Sequence, residues 1–209
     1  LPDGQPLSFP ALVVRGEETG RTLLSTGAIH GDEFEGAVAI QDLFDELDPA
    51  RMRGTFIGVP VVNGPAFTAG FRTGSFDHQD LARVFPGNAD GSPSERIAHA
   101  LAEHLIPRAD LYADLHSGGN ACRIKPFAGY QIRHQLGTIQ REAAVAFGLD
   151  LVWGTVALGG RSLSAAWNKQ VPAIYVELEG EGRGRPESCA LALQGLRNLL
   201  AYLGILAED

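Results

Sequence analysis

Short apolar runs alternate with amphipathic stretches along nearly the whole chain, and that alternation limits the fold more than any other feature. Residues 8–14 and 21–26 read as two strands joined by a Gly-Glu-Glu-Thr-Gly turn. Further strands are expected at residues 56–62, 110–116, 127–132, 149–156 and 173–178. Between them, residues 33–47 place Phe34, Ala37, Val38, Ile40, Leu43, Phe44 and Leu47 at helical spacing. Ser92-Pro93-Ser94-Glu95 opens another helix, because serine can cap, proline suits the first helical position and Glu95 can complete a capping box. Helices are also expected at 137–147 and 186–203. Strands that alternate with helices imply a mostly parallel sheet with helices on both faces. At 209 residues the chain fits one domain with a core large enough to need no staples.

Ligand sites in such sheets lie beyond the carboxyl ends of the strands. Ala28-Ile29-His30-Gly31-Asp32-Glu33 stands at such an end, where the strand at 21–26 gives way to a helix. A His-x-x-Glu pair alone is common by chance. Here Gly31 allows close backbone approach, and a second strand end, Asp114-Leu115-His116-Ser117-Gly118-Gly119, supplies another imidazole. Two neutral imidazoles and a carboxylate form the ligand set of a catalytic zinc that keeps one position open, so His30, Glu33 and His116 are the candidate metal ligands. Asp32 and Asp114 are candidates to hold the outer ring nitrogens of those histidines. Glu177 ends the strand at 173–178; charge there is rare unless paired or functional, and a metal hydrolase needs a base at that place. Glu179 is its rival, and one of the two is free to pair with an arginine.

From Asn63 to Gly91 the chain is rich in Gly, Asp, Asn and Phe without periodicity, and so long a loop is usually functional. Arg72 and Arg83 bracket Asp77 and Asp80 within it, and arginine suits bidentate capture of a carboxylate. Arg123, Arg133 and Arg161 are further arginines with weaker context.

A net charge of −8 without a basic stripe makes nucleic acid and anionic membranes poor partners. No apolar stretch reaches the roughly 18 residues that span a bilayer, and no signal peptide opens the chain. Cys122 and Cys189 form neither a metal pair nor a disulfide framework; buried thiols in a reducing cytoplasm are expected. The first residue is Leu1 and Met52 is the one methionine, so a longer reading frame is expected.

Several motifs fall in one order: His-Gly-Asp-Glu at 30–33, Asn63 with Ala66-Phe67, Arg72, Asp80-Leu81-Ala82-Arg83-Val84-Phe85-Pro86-Gly87, Asp114-Leu115-His116-Ser117 and Val176-Glu177-Leu178. That order resembles the succinylglutamate desuccinylase/aspartoacylase family, deacylases of the zinc carboxypeptidase clan. The resemblance implies a three-layer zinc-carboxypeptidase-like α/β fold, with a mostly parallel mixed sheet and helices on both faces. It implies one Zn2+ per chain on His30, Glu33 and His116, with Glu177 as proton shuttle. Arg72 and Arg83 match arginines that contact the scissile carbonyl or a substrate carboxylate, and Asn63 joins them as a substrate-binding candidate. The expected substrate is a small N-acylated amino acid or related amine bearing a carboxylate; a homo-oligomer stays open. Three departures stand out. Ala82 replaces an asparagine of the family pattern, Glu179 stands where glycine is common, and the β-rich domain that follows in relatives is expected to be absent or not included in these 209 residues. A peptide-trimming zinc carboxypeptidase and a non-catalytic small-anion-binding module are the alternatives.

Overall fold

The computed structural model describes residues 7–132 and 135–206. Its strands are β1 (Leu12–Arg15), β2 (Glu18–Thr26), β3 (Arg53–Val59), β4 (Leu111–Ser117), β5 (Phe127–Gln131), β6 (Val152–Thr155) and β7 (Ala173–Leu178). They form one seven-stranded sheet in the order β1-β3-β2-β4-β7-β5-β6. The run β3-β2-β4-β7 is parallel, as is β5-β6, whereas β1 on β3 and β5 on β7 are antiparallel. The sheet is therefore mixed and mostly parallel. The helices are α1 (Glu35–Glu46), α2 (Gly64–Ala69), α3 (Pro93–Ala100), α4 (Gly137–Phe147), α5 (Ser162–Asn168) and α6 (Pro186–Tyr202).

Strand alternation sorts the side chains onto two faces. One face carries Leu111, Ala113 and Leu115 of β4 and Ile174, Val176 and Leu178 of β7. It packs against Ile40 and Leu43 of α1, Phe147 of α4 and Leu196, Leu199 and Leu200 of α6. The other face carries Leu24 of β2, Tyr112 of β4 and Ala173 of β7, covered by Ile97 and Ala98 of α3 and by Leu163, Ala165 and Ala166 of α5. Each fully buried Leu or Ile on either face contributes roughly 1.5–3 kcal/mol against its exposed state. This is the three-layer α/β arrangement the sequence led us to expect.

Several expectations change in detail. The strand expected from residue 8 begins at Leu12, after Pro10, which has no N–H to give a ladder. The turn expected at 16–20 shortens to Gly16 and Glu17, because β2 starts at Glu18, and it joins strands that do not pair, since β3 lies between β1 and β2. β3 stops at Val59, before Pro60. The helix expected from Glu33 starts at Glu35, so Glu33 sits in the turn before it and is not a first-turn partner of the helix dipole. The span 63–91 is not structureless: Asn63 caps α2, and Asp80 caps a 3-10 turn at Leu81–Arg83. The capping box of Ser92 and Glu95 forms as read, and the helix then continues through a π turn at Leu101–Leu105. α5 went unread, because its seven residues are too few for a clear period. Cys189 is buried as expected, but Cys122 is exposed, lying in the loop that follows β4. Among the described residues, no helix is long and apolar enough to cross a membrane.

Candidate metal centre and cavity

The strands β2 and β4 run parallel side by side, so their carboxyl ends bring His30 and His116 to one place. The Nδ1 atoms of the two rings lie 3.3 Å apart. Glu33 lies between them, with Oε1 at 2.7 Å from His30 Nδ1 and Oε2 at 2.8 Å from His116 Nδ1. All three side chains are nearly withdrawn from water. A tetrahedral ion with bonds of about 2.0–2.1 Å sets its ligand atoms roughly 3.3 Å apart; the two Nδ1 atoms stand at that spacing, and the carboxylate oxygens, drawn in to hydrogen-bond distance, lie inside it.

The outer ring nitrogens argue the same way. His30 Nε2 faces Asp80 Oδ1 at 3.0 Å, and His116 Nε2 faces Asp114 Oδ2 at 3.2 Å. A carboxylate fixes a ring proton on the nitrogen that faces it, leaving the Nδ1 lone pairs to converge. Two lone pairs and a carboxylate converging in a buried place call for a cation. Without one, protons must fill the role. Burial alone would lower the His116 pKa, yet the charges of Asp114 and Glu33 raise it well above the usual imidazole value. Burial would raise Glu33, but His116 and His30 outweigh it and hold its carboxyl at about 2. The donor set fits a zinc ion on His30, Glu33 and His116.

The supports are buried too. Tyr112 Oη donates to Thr26 Oγ1 at 2.7 Å, and Thr26 Oγ1 donates to Asp114 Oδ1 at 2.8 Å. Ser162, the first residue of α5, donates to Asp114 Oδ2. Burial would raise Asp114, but His116 and these hydroxyls hold its carboxyl low. Asp114 therefore takes the place expected of it, whereas Asp32 does not. Asp32 accepts from the Asn120 backbone N–H at 3.1 Å, and Asp80 holds His30 instead. Gly31 also differs from expectation. A Cβ there would come within 2.1 Å of the Ala66 backbone, so the close approach it permits is to α2.

A cavity of about 360 Å³ opens at the cluster, lined on one side by Arg72, Arg83, Arg161 and Glu177. Glu177 is the register partner of His116 on the adjacent strand. Burial is the main cause that pushes its carboxyl up to about 7; His116 opposes this and the Glu33 charge adds to it. Glu179, two residues on, pairs with Arg123, as one of the two glutamates was expected to pair with an arginine. Arg72 donates to Glu33 Oε1 at 3.2 Å and stands 3.6 Å from Asp80 Oδ2. Arg83 donates to the Ala82 carbonyl at 2.9 Å, and the Ala82 methyl lies in the wall where the family pattern has an amide. Asn63 is placed elsewhere. It donates to the Ile29 carbonyl and caps α2, each at 3.3 Å, and it does not line the cavity.

Arg161 had little sequence context, but its Nε is buried without an acceptor among the described residues. Burial, with the neighbouring Arg83 charge, pulls its pKa down. No local pattern marks it; its neighbours come from distant segments. Arg133 lies outside the described residues. The wall also carries an aromatic group: Phe127 meets Trp153 at 5.3 Å and Tyr175 at 5.7 Å between ring centroids.

Residues 19–203 match the sequence pattern of the succinylglutamate desuccinylase/aspartoacylase catalytic domain. The N-alpha-acetyl-L-2,4-diaminobutyric acid deacetylase of Halomonas elongata is 39% identical over 205 residues, covering 96% of this chain and 60% of that protein. The crystal structure of a succinylglutamate desuccinylase from Silicibacter sp. TM1040 superposes with a TM-score of 0.91 at 36% identity, over 96% of this chain and 62% of that one. The product-bound ectoine utilization protein EutE (DoeB) from Ruegeria pomeroyi gives the same TM-score of 0.91 and 36% identity, over 96% and 62% of the two chains. The chain thus spans about 60% of the length of these relatives.

Proposed function

The chain belongs to the succinylglutamate desuccinylase/aspartoacylase family, and from that premise we propose that it is a zinc-dependent deacylase of small N-acylated amino acids. One observation carries the reading: two Nδ1 lone pairs and the Glu33 carboxylate converge beside Glu177 in a cavity that arginines line. His30, Glu33 and His116 would hold a zinc ion, which would supply Lewis acidity toward a carbonyl and a water molecule.

Glu177 takes the proton of the attacking water and returns it to the departing amine. Its raised pKa suits both halves of that exchange near neutrality. The Arg72 guanidinium, at the metal ligands, donates to the oxygen on which charge develops. Arg83 and Arg161 hold a carboxylate of the substrate, which provides the acceptor that Arg161 Nε lacks. Phe127, Trp153 and Tyr175 exclude water along one side. Asn63 serves the site by fixing α2 behind His30. The described residues form one sheet-centred catalytic unit, and we take the chain as a single catalytic domain. The cavity, about 360 Å³, is rich in guanidinium groups, which favours a short N-acyl amino acid over a peptide. N-α-acetyl-2,4-diaminobutyrate, named for the Halomonas relative, is the first candidate. Two free thiols fit a cytoplasmic location.

Turnover of acetyl-, succinyl- and formyl-amino acids by zinc-loaded and chelator-stripped protein tests the proposal. Hydrolysis of at least one of them, lost on stripping and regained with zinc, is expected. A protein that binds no zinc, or binds it and hydrolyses none of them, overturns the reading.

A further inference from the structure

Gln131 ends β5 and lines the same cavity, only 3% exposed. Its Oε1 is buried with no hydrogen-bond donor among the described residues. Buried amide oxygens rarely stay in that state, because water has been removed and nothing returned. One kept so beside a cavity is an acceptor that a ligand can complete.

Register places it. On β5, Phe127, Gly129 and Gln131 turn to one face; Phe127 pairs with Glu177, Gly129 with Tyr175, and Gln131 with Thr155 of β6. The Tyr175 ring lies directly over Gly129, where a Cβ would come within 2.1 Å of it. Gln131 therefore stands beyond that ring from Glu177, at the end of the cavity away from the metal cluster. The two unpartnered groups of this cavity are complementary in kind. Arg161 Nε is a cationic donor and wants an anion, whereas Gln131 Oε1 is a neutral acceptor and wants a donor. A ligand that completes both carries a carboxylate and, separately, an N–H.

We infer that Gln131 is a specificity-determining residue, accepting a hydrogen bond from a nitrogen on the side chain of the amine half of the substrate. The chain then selects N-acylated diamino acids over apolar N-acyl amino acids of equal length. This rests on the deacylase reading above.

N-α-acetyl-2,4-diaminobutyrate and N-acetylnorvaline have side chains of equal length and differ in the terminal donor. The zinc-loaded chain should favour the first in kcat/KM by roughly 10- to 100-fold, the range a buried hydrogen bond gives. Gln131→Leu should bring that ratio near one. Gln131→Glu, which keeps the acceptor and adds charge, should raise it. A wild type without preference, or a leucine variant that keeps it, overturns the inference. If the leucine variant fails to fold, a glutamate variant with an unraised ratio overturns it instead. If neither substrate is cleaved, the deacylase reading is what fails for this pair. Calorimetry with free 2,4-diaminobutyrate and norvaline then decides on Gln131 separately. Tighter binding of the diamino acid, lost in the leucine variant, supports the inference, and equal binding to the wild type overturns it.

Discussion

The two faces of the sheet are built from the same strands and differ in what they bury. Along β4, Leu111, Ala113 and Leu115 point to the face under α1, α4 and α6, whereas Tyr112, Asp114 and His116 point the other way. Along β7, Ile174 and Val176 oppose Tyr175 and Glu177 in the same manner. The first face is mostly apolar, with Ser25 of β2 buried in it beside Leu23, and is closed by long helices. The second becomes polar toward the carboxyl ends, and the buried polar groups around the metal cluster are held by one another: Tyr112 by Thr26, Asp114 by Thr26 and Ser162, His116 by Asp114. The difference teaches that chemistry here occupies one alternate set of strand positions, while the other set stabilises the fold beneath it.

Substitutions on the two faces should therefore separate activity from stability. Glu177→Gln on the polar face should lower kcat by roughly 10²–10⁴-fold with zinc content and melting temperature kept. Retained turnover, with zinc measured by elemental analysis, would remove Glu177 from the mechanism. Leu196→Ala on the apolar face should cost about 2–5 kcal/mol in denaturant unfolding while zinc affinity of the folded protein stays unchanged. A loss of affinity matching the loss of stability would join the two faces into one unit.

Ser162→Ala lies between these cases, since it removes a support and not a ligand. Zinc affinity by competition titration should fall about 10–100-fold, because Asp114 loses a donor that helps it orient His116. The pH dependence is the gentlest probe. A base must be ionised to accept a proton, and burial raises the Glu177 carboxyl to about 7. At saturating zinc, kcat/KM should be full above that value and fall about tenfold per unit below it. A bound cation nearby draws the midpoint lower. A profile flat down to pH 5 would move the proton transfer to another group.

Much of both faces was legible in the order of residues. Short, largely apolar runs at 111–117 and 173–178 mark strands buried on both sides, and Ser92 with Glu95 marks a helix start, because such runs and capping act within a few residues. His30, Glu33 and His116 were legible because a histidine at each of two strand ends has little else to do. Asp80, Arg161 and Gln131 carry no local signal of their roles, since each meets the site from a segment far off in sequence. Asn63 read as a binding residue, yet both ends of its amide serve the backbone.

The sequence alone determined most of the strands and the longer helices, which side of the central strands is apolar, and which three side chains can share a cation. These follow from local geometry, where side-chain direction repeats every two or every 3.6 residues. Tertiary structure alone decided that β3 lies between β1 and β2, that Asp80 reaches His30, and that Gln131 and Arg161 face one cavity. Strand order and loop paths depend on packing summed over the whole chain, and no local pattern of residues carries that sum.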